Sequence, residues 1–156
     1  MNKKILGVFA SLLVITILVL QMSAVNATKP TENITWHSIT TGFPETMSSR
    51  IAGNNIIVTI LDSPKLFVGD ISGTGSSDFR MVLHEDGVST SGITTMDVTY
   101  DGKSGNLVMK HGSIGLWRII SATGELAGLH GQGTIGRDET TPPGAYTFTG
   151  KVHFDP

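Results

Sequence analysis

The 156-residue chain contains no cysteine. That excludes disulfides, thiolate nucleophiles and cysteine metal sites at one stroke. Strong charge of one sign is lacking too: 11 basic and 13 acidic side chains leave a net charge of −2. Such a balance offers no nucleic-acid surface and no polybasic membrane patch. The five histidines, His37, His84, His111, His130 and His153, never stand at i, i+2 or i, i+4, so no ready metal site is expected. After residue 28 there is no long amphipathic helical period and no second long apolar run. No cofactor is expected, since the one glycine run with nucleotide-binding spacing lacks the context such a motif needs.

The one long apolar run opens the chain. Lys3 and Lys4 precede Ile5–Leu20, and Val25-Asn26-Ala27 supplies small residues at −3 and −1. This is the layout of a signal peptide over residues 1–27, cleaved after Ala27, with a secreted or cell-surface product. The 16-residue run falls short of the ~20 residues that span a bilayer comfortably. An uncleaved N-terminal membrane anchor is the alternative, and no other membrane contact is expected. Residues 28–33, with Pro30, read as a polar, flexible leader, and 34–156 as one domain. Cleavage would leave 9 basic against 13 acidic side chains. Asn33-Ile34-Thr35 fits a glycosylation sequon, relevant only in a host with that machinery.

What fills the rest is Gly, Thr, Ser and β-branched residues in period-two alternation. In "SDFRMVLHEDG", Phe79, Met81 and Leu83 oppose Asp78, Arg80 and His84, and Asp86-Gly87 signals a hairpin. Met96, Val98 and Tyr100 oppose Thr95, Asp97 and Thr99 before a second Asp-Gly at Asp101-Gly102. Tyr146, Phe148, Val152 and Phe154 oppose Thr147, Thr149, Lys151 and His153. "NNIIVTILD", "KLFVGDI", "GNLVMKHG" and "GLWRIISATG" are each of strand length, and "PETMSSRIAG" is a short turn or a strand. About eight or nine strands with turns every ~8–12 residues is the rhythm of a sandwich or barrel. The fold class is all-β.

"GLHGQGTIG" contains G-x-G-x-x-G at Gly131, Gly133 and Gly136. A dinucleotide fingerprint needs a helix opening from it and an acidic residue ~20 positions on. Instead "RDETTPPGAY" follows, and Pro142-Pro143 forbid a helix. A phosphate loop fails as well, for want of Gly-Lys-Ser/Thr. Glycines in or beside a strand permit a bend, a bulge or close backbone approach, as a strongly coiled small barrel needs.

The order "FVGDISGTG", "DVTYDGKSGNLVMKHG", "ISATGELAGLHGQGTIG", "GAYTFTGKVHF" resembles a prokaryotic family of unknown function that shares the allene oxide cyclase-like, lipocalin-like barrel. The likeness spans about residues 55–154. It implies a small, closed, eight-stranded antiparallel barrel with an interior cavity. It supplies no function, because the family has none. Plant cyclases of this barrel class isomerise a fatty-acid epoxide, but no motif here aligns residue by residue with their sites, so that chemistry is an analogy.

Two residues are candidates for acid–base work. His111 is in phase with Leu107 and Met109 and ends its strand before Gly112, which places an imidazole at an apolar barrel mouth. A core-edge histidine bonded to backbone is the blander reading. Glu125, in phase with Ala127 and Leu129, points inward by the same logic, where burial would raise its pKa. Phe79, Met109, Trp117 and Tyr146 are the candidate ligand-binding residues of an aromatic-lined interior.

Three functions follow from this barrel. The first is an exported module binding a small apolar or amphipathic molecule. The second is an isomerase or cyclase using His111 or Glu125, and the third is a structural or surface protein with a filled barrel. Self-association into a homo-oligomer is open in all three.

Overall fold

The computed structural model describes residues 31–112, 115–137, 141 and 145–155. The expected signal segment lies outside the described residues. Nine strands run in chain order: β1 Glu32–Thr40, β2 Thr46–Ala52, β3 Asn55–Gly69, β4 Ile71–His84, β5 Gly87–Tyr100, β6 Lys103–Gly112, β7 Leu116–Ala122, β8 Leu129–Gly136 and β9 Ala145–Phe154. A 3-10 turn, Gly124–Leu126, joins β7 to β8. β1 opens at Glu32, inside the stretch read as a leader, and "PETMSSRIAG" supplies β2.

Local chemistry sets the hairpins. Asp101 and Gly102 both take positive φ, 48° and 73°, the pair of left-handed residues that a two-residue hairpin demands. β5 therefore turns tightly into β6, with Tyr100 opposite Lys103. From β3 to β9 each strand pairs antiparallel with the next, and β9 pairs with β1. The circle is closed by β1 against the second half of β3, from Trp36 opposite Gly69 to Thr40 opposite Lys65. The result is an eight-stranded antiparallel barrel, as the resemblance implies.

β2 stands outside this circle. It pairs only with Asn55–Leu61 of β3, where β3 to β5 extend past the closure seam. These segments form a four-stranded arm, ordered β2-β3-β4-β5, that overhangs one barrel mouth. Along β5 the alternation is realised in full: Thr94, Met96, Val98 and Tyr100 are buried while Ile93, Thr95, Asp97 and Thr99 are exposed. In β9 the expected parity buries Phe148 and Val152 but breaks at the start of the strand, where Ala145 and Thr147 are buried and Tyr146 is exposed.

The interior floor is apolar. Trp36, wholly buried, stacks on Phe148 at 5.0 Å between centroids and meets Trp117 edge-on at 4.8 Å. Met96, Leu107, Met109, Leu126 and Leu129 pack around them. Each such side chain contributes ~1.5–3 kcal/mol on burial. The glycine run belongs to this core. The Trp117 indole N–H reaches two backbone carbonyls, Thr134 O on β8 at 3.2 Å and Thr149 O on β9 at 3.1 Å. It does so because the strands beneath it carry no side chain: a Cβ at Gly150 would lie 2.4 Å from Trp117 Cζ2, and one at Gly133 2.0 Å from Thr149 O. Gly133 and Gly150 are opposite each other. The glycines seat a tryptophan and let two backbones close up.

Candidate functional site

A cavity of about 350 Å³ lies above the aromatic floor, under the overhanging arm. Its polar lining comes from Ser38, Lys65, Ser77, Thr90, Thr94, His111 and Arg137. Phe79, Met81, Ile135, Tyr146 and Phe148 supply the apolar wall. A layer of hydroxyls thus separates the packed floor from the open mouth, and Ser77 and Thr94 hydrogen-bond to one another at 2.8 Å.

Lys65 reaches this cavity through a β-bulge. In the first half of β3, Ile56, Val58 and Ile60 are opposite Leu83, Met81 and Phe79. Strict alternation would then turn Asp62, Pro64 and Leu66 inward. Instead Leu61 and Asp62 together occupy the place opposite Asp78, and pairing resumes with Ser63 opposite Ser77. Asp62 takes φ 53°, and its N–H donates to Asp78 Oδ1 at 2.8 Å. The extra residue flips the parity. Ser63, Lys65 and Phe67 consequently face the interior, while Leu66 and Val68 are outside.

The Lys65 ammonium donates to Thr40 Oγ1 at 2.7 Å and sits 5.9 Å from the Phe79 ring centroid. Burial pushes its pKa below the ordinary lysine value. His111 lies on β6 opposite Gly92 and Trp117. Burial first, and then the charge of Lys65, pushes the imidazole below its ordinary 6.5. At neutral pH it is therefore an uncharged donor and acceptor. At the rim the Arg137 guanidinium lies 4.6 Å over the Tyr146 ring, a cation–π contact. Among the described residues no carboxylate lines the cavity.

Of the sequence-derived candidates, the structure places His111, Phe79 and Tyr146 at this cavity. Met109 and Trp117 instead lie beneath it in the packed floor. Glu125 is elsewhere. The 3-10 turn breaks the alternation, so Leu126 is the buried residue there and Glu125 is exposed. Its carboxylate accepts the Ser104 backbone N–H at 2.9 Å. Ser104 and His111 stand seven residues apart on β6, roughly 23 Å at ~3.3 Å per residue. The structure thus corrects the expected inward Glu125 and places it far from His111. Sequence reading missed Lys65, Ser38, Ser77 and Thr94. The usable signal was Lys65 two positions before Phe67, one strand face.

Among the described residues, no group of three or more His, Asp or Glu side chains could hold a metal ion. What the cavity offers is hydrogen bonding, two cations and aromatic surface.

A crystal structure of a protein of unknown function from the DUF3224 family of Shewanella oneidensis MR-1 superposes with a TM-score of 0.60 at 14% identity, covering 82% of this chain and 98% of that one. Two pterocarpan synthase dirigent proteins also match. PsPTS1 gives TM-score 0.41 and 17% identity over 83% of this chain and 98% of its own. GePTS1 gives 0.44 and 17% over 81% and 88%. No curated protein matches the sequence. The model of the family described as "Protein of unknown function (DUF3224)" matches residues 39–149, a span holding every cavity residue named above except Ser38. With that match over most of its length, the chain belongs to the DUF3224 family of barrel proteins.

Proposed function

We propose that the protein is an exported binding module that holds one small amphipathic molecule in the mouth cavity. One observation carries this: the barrel is filled below and open above. The floor is packed by Trp36, Trp117, Phe148 and Met109, yet about 350 Å³ remains over it, within the ~300–1,000 Å³ of small-molecule sites. A barrel serving only as a structural element gains nothing from such a void. The export part of the reading rests on residues 1–27 alone.

A second reading, an isomerase or cyclase, draws on His111, an uncharged imidazole at the same cavity. It would have to work without Glu125. His111→Ala separates the two readings, since it would weaken binding without abolishing it in a binding module and would abolish turnover in an enzyme.

Native mass spectrometry of residues 28–156, purified gently from a prokaryotic host, tests the binding reading. An extra mass lost on denaturation supports it. A bare mass, with no thermal shift across a panel of lipids and small aromatics, overturns it.

A further inference from the structure

We propose that the cavity selects an anion: its ligand carries a single carboxylate-like group on a compact, flat apolar body, with the negative group held by Lys65. This rests on the binding reading above and adds the chemical class of the ligand.

Lys65 has donors to spare. An ammonium has three protons to donate, and one goes to the Thr40 hydroxyl. Among the described residues Lys65 makes no salt bridge, and the His130–Asp155 contact lies on the exterior. No acidic side chain lines the cavity in those residues, while Arg137 and neutral His111 do. A partly desolvated cation without a counter-charge is costly to a fold. That cost is offset when an anion enters and accepts the remaining ammonium protons.

The rest of the lining fits the same ligand. His111 makes no side-chain hydrogen bond to the described residues, so a ring N–H is free to donate to an anionic oxygen. Arg137, stacked on Tyr146, adds positive potential at the entrance. A cationic ligand would be repelled by Lys65 and Arg137, and a neutral one would keep Lys65 from solvent with nothing in return. Phe79, Tyr146 and Phe148 form the wall, suited to a flat apolar body rather than a sugar or a peptide.

The test is a matched pair of probes, 2-naphthoate and 2-acetylnaphthalene, alike in shape and different in charge. Isothermal titration of the wild type should show the carboxylate bound at least about tenfold more tightly, the scale of one charge-assisted hydrogen bond. The ratio should fall to near one in Lys65→Met and persist in Lys65→Arg. Equal affinities in the wild type overturn the proposal and leave the binding reading standing. So does a preference that survives Lys65→Met. Because the wild-type ratio needs no variant, misfolding of Lys65→Met would not spoil the test. If neither probe binds, the charge of the co-purifying ligand decides: an anion supports the proposal, and a neutral or cationic ligand overturns it. No ligand and no probe binding removes both readings together.

Discussion

The His111 ring lies against the backbone of Gly92, its cross-strand partner: a Cβ at Gly92 would be 2.5 Å from His111 Cε1 and 2.7 Å from Nε2. A histidine on β6 is thus laid across a glycine on β5, and this contact fixes how the imidazole enters the cavity. Covering an in-strand glycine with a cross-strand ring also stabilises the sheet.

Gly92→Ala should therefore push His111 out of its place. The new methyl would also meet Asp78 O at 2.6 Å, so the backbone shares the strain. We expect a loss of ~1–3 kcal/mol, seen as a lower denaturant midpoint at unchanged slope. Ligand affinity should fall in the same variant. Native stability with full affinity would disprove the seating role.

Gly150→Ala bears on the floor instead. Its methyl would clash with the Trp117 ring at 2.4 Å and with Gln132 O at 2.4 Å. The ring has no room to yield without losing its two carbonyl acceptors. The cost should exceed that of Gly92→Ala, at ~3 kcal/mol or more. The protein has two tryptophans, and both lie in this floor, so near-ultraviolet circular dichroism will report the disruption directly.

The pH dependence of stability should carry a His111 component. Its folded pKa lies below 6.5 through burial and the charge of Lys65; Arg137 lines the same cavity. Between the two pKa values the unfolded chain binds the extra proton and the native chain does not. Stability is therefore complete above 6.5 and is lost as pH falls through that window. Thermal melts from pH 7.5 down to 5 should show a shallower decline for His111→Gln than for the wild type. Parallel declines would contradict this.

Tyr100 behaves in the opposite sense at the other end of the barrel. Its hydroxyl donates to the Glu32 carboxylate. Burial first, then that hydrogen bond and the charges of Glu32, Asp101 and Asp70, push the phenol well above its ordinary 10.0. The native state holds this proton longer than the unfolded chain, so its stabilisation is present below pH 10 and is lost as pH rises beyond. The difference in phenolate absorbance between wild type and Tyr100→Phe should show Tyr100 still protonated at pH 10.5. Glu32→Gln should bring its ionisation back toward 10.

Much of the barrel is written in local chemistry. The parity of Met96, Val98 and Tyr100, or of Phe148 and Val152, follows from the two-residue repeat of an extended chain, which needs no knowledge of neighbouring strands. Asp101-Gly102 likewise specifies its turn through φ alone. His111 was legible for the same reason: Leu107, Met109 and His111 keep one unbroken phase along β6.

The site depended on breaks in that phase. The bulge at Leu61-Asp62 exists because β4 offers the Asp78 carboxylate to the Asp62 N–H, a contact between residues far apart in the chain. It alone turns Lys65 inward and Leu66 outward. The 3-10 turn at Gly124–Leu126 likewise reassigns the buried position from Glu125 to Leu126. The purpose of Gly133 and Gly150 was hidden until Trp117 arrived from β7. Strands, hairpins and the all-β class follow from local chemistry, because alternation and turn propensity act over a few neighbouring residues. Which cation faces the cavity depends on the assembled sheet, because register and bulges are settled by pairing across strands, where one residue more or less exchanges the inside of the barrel for the outside.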